Sequence, residues 1–331
     1  MNISKPKPRL TLIAAGGTIS LVRDPQTGKS IPGLTGADLL KHTSLADAFV
    51  VRIIDLAERT KPLRQPEELL DLARCIQQAV EASDGVVVTH GTDTLEEVAY
   101  LVDETVDTAV PIVFTGAMRP SWASGYDGIS NLENALRIAA TVSAEYGTLV
   151  TMHDEIFAAW NVYKADTGAL DAFTARRGAA LGRIFGDQIA FTWRPIPRVR
   201  FGKIPQALPS SVPILTMGIV DDGVAFDLLS TANIQGVVVA SIAAGTVSPA
   251  AYEKLLVLAR TGLPIVLCSG VTSGRTAEEY YYPKAYDELR AAGVAIEDWL
   301  SPRKARIRLM LSVGLQKPYV PFGREFIAAK R

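Results

Sequence analysis

The chain has 331 residues, 48% of them hydrophobic, with 34 Lys+Arg against 35 Asp+Glu. At roughly 150 residues per domain this predicts two domains with sizeable cores. A net charge of −1 excludes the basic excess that nucleic acid or an anionic membrane surface demands. No apolar run reaches the roughly 18 residues of a membrane helix, and the stretch 10–15 runs into Gly-Gly too early for a signal peptide. Cys75 and Cys268 stand far apart and in no CxxC, which points to a reduced, cytoplasmic setting without disulfide or thiolate-metal chemistry. His42, His90 and His153 are isolated, so zinc ligation or a Ser-His-Asp triad would rest on one histidine each, and acid–base work falls to Lys, Asp, Glu or Tyr.

In chain order, 10–15 (LTLIAA), 50–54, 85–89 (GVVVT) and 111–115 (PIVFT) read as strands, continuous apolar runs as in parallel sheets covered on both faces. Between them 66–81 and 95–106 read as helices. Thr94 with Glu97 is expected to form a capping box for the second, and Ser130 with Glu133 repeats that start signal before Leu132, Leu136 and Ala139. The polar, Gly/Pro-rich segment 23–35 is expected to be a mobile loop. Residues 195–213 carry five prolines and three positive charges and read as an inter-domain linker. The rhythm then resumes, with strands at 214–217, 236–241 and 264–269 and helices at 250–261 and 284–292. The expected fold class is α/β: a larger N-terminal, open, mainly parallel sheet flanked by helices (1–195), a linker (196–212), and a smaller C-terminal α/β domain (213–331).

Gly28-Lys29-Ser30 resembles the end of a phosphate-binding loop, but Arg23 stands where that pattern needs Gly, and no G-x-G-x-x-G exists. The informative segments follow the first, third and fourth strands: Gly16-Gly17-Thr18, His90-Gly91-Thr92-Asp93-Thr94, and Gly116-Ala117. In open parallel sheets ligands bind at the carboxyl ends of strands, so these loops are expected to converge on one crevice. Hydroxyls beside glycine backbone and a helix N-terminus have the parts for acyl transfer, a nucleophile and an oxyanion site. Taken singly, Thr94 reads as an N-cap, Thr18 as a turn residue and His90 as a packed turn residue.

AAGGTIS (14–20) and HGTDTLEE (90–97) resemble the two threonine signatures of the bacterial-type L-asparaginase/glutaminase family. GAMRPSWASGYDGISNLENAL (116–136) is similar to that family's segment after the next strand, and the two-domain layout matches across nearly the whole chain. The resemblance implies hydrolysis of a side-chain amide to acid and ammonia with no metal or cofactor. It implies Thr18 as nucleophile, Thr92 as the second threonine in contact with Asp93 and Lys164, and L-asparagine or L-glutamine as substrate. A lysine near other donors and partly desolvated can serve as a base; without the resemblance, Lys164 reads as a solvated residue on an exposed strand. Gly17, Gly91, Ala117 (through its backbone carbonyl), Ala57 and Glu58 would line the substrate, with Asp93 and Glu58 on its α-ammonium.

The chain departs from the family at three places. The family's loop tyrosine is missing: the first tyrosine is Tyr100, and the corresponding position is near Lys29. Ala57 stands where a carboxylate-binding serine is usual, with Arg59 nearby to pair with the carboxylate instead. Ala244 occupies the place of a second-domain asparagine. The resemblance also implies a homo-oligomer, a dimer or a dimer of dimers (homotetramer), in which Glu278 or Glu279 reaches a neighbouring subunit's site. A glutamine-hydrolysing amidotransferase subunit and a non-catalytic amino-acid-binding protein are the alternative readings.

Overall fold

The computed structural model describes residues 6–56, 65–194, 198–276 and 285–323. These fall into two compact units, one within Met1–Ile196 and Gly202–Ile204, the other within Pro197–Phe201 and Pro205–Arg331. No described helix is long and apolar enough to cross a membrane.

In the first unit β1 (Arg9–Ala14) leads into a 3₁₀ turn at Thr18–Ser20, the strands β2 (Leu21–Arg23) and β3 (Ser30–Pro32), and α1 (Gly36–Lys41). Next come β4 (Val50–Asp55), α2 (Pro66–Glu81), β5 (Gly85–Thr89), α3 (Leu95–Thr105), β6 (Ile112–Thr115) and α4 (Gly128–Thr141). Six strands complete the unit: β7 (Thr148–Met152), β8 (Glu155–Ala158), β9 (Val162–Lys164), β10 (Phe173–Ala175), β11 (Gly182–Phe185) and β12 (Gln188–Phe191). One sheet runs β12-β11-β8-β7-β6-β5-β1-β4. Strands β4, β1, β5, β6 and β7 are mutually parallel, and β8, β11 and β12 extend the sheet antiparallel.

The central strands are buried and mostly apolar, with Thr11, Thr89 and Thr115 also fully buried, because helices cover both faces. Ile13, Val86 and Val88 pack with Leu72 and Ile76 of α2 and with Val98 and Val102 of α3. The alternate residues Leu12 and Val87 are equally buried, and α4 packs against β1, β5 and β6. Helix α2 begins at Pro66, whose missing N–H would have had no helical partner there.

Three local expectations are corrected. Thr94 stands at the N-cap of α3, but its side chain makes no capping bond. Helix α4 begins at Gly128 with Asp127 before it, so Ser130 lies inside the first turn. Glu133 instead accepts from Ser44 N at 2.5 Å and pairs with Arg137 at 3.7 Å, so it is engaged away from any cap. The segment 23–35 is partly a ribbon: Arg23 pairs with Ser30 and Val22 with Ile31. Its turn is tied by the Asp24 carboxylate, which accepts from Gln26 N at 2.7 Å and Thr27 N at 3.3 Å.

The second unit holds β13 (Ile214–Thr216), α5 (Val224–Thr231), β14 (Val237–Ser241), α6 (Pro249–Ala259), β15 (Ile265–Ser269), α7 (Ala285–Ala291), β16 (Ala295–Glu297) and α8 (Pro302–Gly314). Its sheet is parallel in the order β13-β14-β15-β16. Val237, Val239, Ile265 and Leu267 pack with Leu255 and Leu258 of α6. Glu297, 1% exposed, accepts from Tyr319 Oη at 2.7 Å and from Phe322 N at 2.9 Å, which ties the last described residues to the sheet. Both units are α/β, the first with the larger, mainly parallel sheet.

Candidate active site

The sheet order itself defines a crevice. From β1 the chain moves outward to β4, then crosses back to β5 and continues to β6 and β7 on the other side. The strand order therefore reverses between β1 and β5, and ligands bind at such a reversal, outside the carboxyl ends of the strands. The loop after β1 carries Gly17 and Thr18, and the loop after β5 carries Gly91, Thr92 and Asp93.

These two loops touch backbone to backbone. Gly17 has φ 93° and ψ −178°, a conformation essentially restricted to glycine. A methyl group there would stand 2.5 Å from Gly91 N and 2.7 Å from the His90 carbonyl carbon. The β6 loop is as close: a methyl on Gly116 would lie 2.6 Å from His90 O and 3.3 Å from Thr92 Cγ2. Glycine at each crossing lets three loops share one small volume. Thr18 is half-buried there, Thr92 is 5% exposed, and Ala117 is fully buried.

Lys164 completes the cluster. It ends β9, paired with Phe173 on β10, and its Nζ donates to Thr92 Oγ1 at 3.0 Å and to Asp93 Oδ1 at 2.9 Å. The lysine side chain is 12% exposed while that of Asp93 is 92% exposed, so the ion pair has one dry end and one wet end. This is not the solvated lysine that the bare sequence pattern favours. His90 is 4% exposed and donates from Nδ1 to Gly91 O at 2.9 Å. Burial pushes its imidazole below the usual range, only partly offset by that bond, so the ring is a neutral turn residue.

The segment after β6 supports the cluster. Asp127, instead of capping α4, accepts from Met118 N at 3.0 Å and Arg119 N at 3.0 Å, and Asn131 Nδ2 donates to Gly116 O at 3.0 Å. Tyr126 Oη donates to Ile19 O at 2.7 Å, and Ser121 Oγ to Leu21 O at 2.7 Å. Sequence reasoning missed these residues. The GYDG stretch carries both Tyr126 and Asp127, but the partner of Tyr126 lies 107 positions upstream, where no local pattern points to it.

Gly17, Thr18, Gly91, Thr92, Asp93, Ala117 and Lys164 thus all lie in the first unit, with a direct bond from Lys164 to Thr92 and Asp93. Lys29 is exposed in the turn of the β2–β3 ribbon. Ala244, in the second unit, accepts from Tyr286 Oη at 2.7 Å through its carbonyl. Ala57, Glu58, Arg59, Glu278 and Glu279 lie outside the described residues.

Residues 9–197 match the family described as Asparaginase, N-terminal, and residues 211–319 the Glutaminase/Asparaginase C-terminal domain. A probable L-asparaginase of Deinococcus radiodurans is 33% identical over 322 residues, covering 93% of this chain and 94% of that protein. L-asparaginase 2 of Escherichia coli is 32% identical over 315 residues, covering 92% of this chain and 89% of its own. The crystal structure of a probable cytoplasmic L-asparaginase from Campylobacter jejuni superposes with a TM-score of 0.80 at 30% identity, over 95% of this chain and 97% of that one. With two threonine loops meeting at the strand reversal and matches along both units, the chain belongs to the asparaginase family.

Proposed function

We propose that this chain is an L-asparaginase that hydrolyses the side-chain amide of L-asparagine to L-aspartate and ammonia. The observation that carries the mechanism is the Lys164 Nζ bridge between Thr92 Oγ1 and Asp93 Oδ1, set beside the Gly17–Gly91 crossing. Thr18 Oγ attacks the amide carbon, and the developing oxyanion is met by backbone N–H groups of the glycine loops. The carbon–nitrogen bond then breaks, the proton given up by the Thr18 hydroxyl passes by way of Thr92 to the nitrogen, which leaves as ammonia, and an ester remains on Thr18. Water cleaves that ester, releasing aspartate and restoring the hydroxyl. Thr92 is the proton carrier: while it accepts from Lys164, its own hydrogen is available to the departing nitrogen.

In this reading Gly17, Gly91, Ala117, Ala57 and Glu58 line the substrate. Glu278 is contributed by a neighbouring subunit of a homo-oligomer, a dimer or a homotetramer, and the enzyme works in the cytoplasm. The catalytic domain is 1–195, joined by the linker 196–212 to the domain 213–331. A coupled assay of ammonia release from both amides tests the activity. Faster turnover of asparagine supports the reading. Turnover of glutamine alone makes the chain a glutaminase, and binding without ammonia makes it an amino-acid-binding protein.

A further inference from the structure

Thr18 is flanked by two peptides, and each is held by a different device. On one side Gly17 is pressed against Gly91. On the other, the Ile19 side chain is fully buried and its carbonyl accepts from Tyr126 Oη at 2.7 Å. The successive carbonyls of this turn are all engaged. Those of Gly17, Thr18 and Ser20 receive backbone N–H groups of Ser20, Leu21 and Gly33–Leu34. That of Leu21 receives both Ser121 N and Ser121 Oγ. The bond to Ile19 comes from a side chain, so one substitution releases it.

Tyr126 is itself closely placed. A methyl on Gly128 would meet its hydroxyl at 2.4 Å and its ring at 2.5 Å, so the phenol lies flat over bare backbone. The loop bearing it is closed by Asp127 on Met118 N and Arg119 N, and by Arg119 on Ser124 O. Further along the same strip, the guanidinium of Arg23 lies over Trp122 at 5.5 Å. Residues 19, 21 and 23 are thus each tied to the loop 121–126.

We propose that Tyr126 is a positioning residue for the nucleophile: its hydroxyl, through the Ile19 carbonyl, fixes the turn that aims Thr18 at the substrate. This rests on Thr18 being the nucleophile. Burial and the Asp127 charge both raise the Tyr126 phenol, which keeps it the donor in this bond. A misplaced reacting group costs rate rather than affinity, so the effect belongs in the acylation step.

The test compares Tyr126→Phe, Gly128→Ala and Thr18→Ala with the unsubstituted protein, by single-turnover and steady-state ammonia release from asparagine, alongside thermal unfolding. Tyr126→Phe removes only the hydroxyl and is expected to slow single-turnover release roughly tenfold, with KM within about twofold and the unfolding midpoint nearly unchanged. Gly128→Ala keeps the hydroxyl but displaces the ring, and is expected to slow single-turnover release in the same way, with a lower unfolding midpoint from the crowding. Undiminished single-turnover release by Tyr126→Phe overturns the proposal, as does a loss expressed only in KM or in stability. An active Thr18→Ala overturns the nucleophile assignment and the proposal with it. An inactive Thr18→Ala beside a fully active Tyr126→Phe refutes the positioning role alone.

Discussion

Replacing Gly17 by alanine tests the idea that the two threonine loops are held at a backbone crossing. At φ 93° and ψ −178° a side chain is strained by about 1–3 kcal/mol before any contact is counted. The new methyl stands 2.5 Å from Gly91 N and 2.6 Å from Gly91 Cα. Normal separations are about 3.5–4.0 Å, so the loops must part by about 1 Å. Both neighbours are backbone and cannot rotate away. A displacement of that size next to a reacting group costs about 10²-fold in rate. We expect Gly17→Ala to lower kcat/KM for asparagine about 100-fold and the unfolding midpoint by about 3–10 °C. The control is Gly186→Ala, at φ 63° with nothing within 4 Å of the added methyl. It carries backbone strain without crowding and should lose stability but not turnover. Coupled ammonia release and thermal unfolding read both quantities. Activity of Gly17→Ala within twofold of the unsubstituted protein would show that the Gly17–Gly91 crossing does not position the threonine loops.

Two other outcomes follow from the site. Lys164→Met strips Thr92 Oγ1 and Asp93 Oδ1 of their 3.0 Å and 2.9 Å donor and should cut kcat about 10²–10⁴-fold with circular dichroism unchanged. Lys164→Arg should not restore it, because a planar fork cannot replace a point donor serving two oxygens; full turnover by either variant would exclude a role for this contact. His90 is held below its ordinary value of 6.5 by burial. Below about pH 6.5 the unfolded chain therefore binds a proton that the folded ring refuses, and stability falls as pH drops. Urea unfolding at about pH 5, 6 and 7 should show that slope, reduced in His90→Gln; parallel profiles for the two proteins would contradict it.

The parallel core was legible because a strand covered on both faces is buried at every position and so mostly apolar, as 10–14 and 85–89 are, with Thr11 and Thr89 the exceptions. The same physics hid the antiparallel extension. β8, β11 and β12 are short, and the β7–β8 turn is made by His153 and Asp154 at φ 49° and 62°, with no glycine to mark it. Helix α8 escaped because Lys304 and Arg308 are 1% and 4% exposed, so buried cations interrupt any apolar stripe. At the site, Thr18 and Thr92 announced themselves by glycine and by their place at strand ends. Lys164 did not, since its partners lie 72 and 71 residues upstream and nothing local distinguishes it; only the family resemblance pointed to it. The S-x-x-E signal misled because the pattern records only a possible partner, while Glu133 is taken by the Ser44 N–H and Asp127 stands at the helix start; at Thr94 the capping bond simply does not form.

In the proposed mechanism the reaction passes through an ester on Thr18. Acid quenching during asparagine turnover, followed by mass spectrometry of the peptide containing residues 14–23, tests it directly. An aspartyl ester on Thr18 is expected in the intact protein, and neither ester nor ammonia release in Thr18→Ala. Ammonia release at a near-normal rate by purified Thr18→Ala, or an ester found on Thr92 instead, would contradict it.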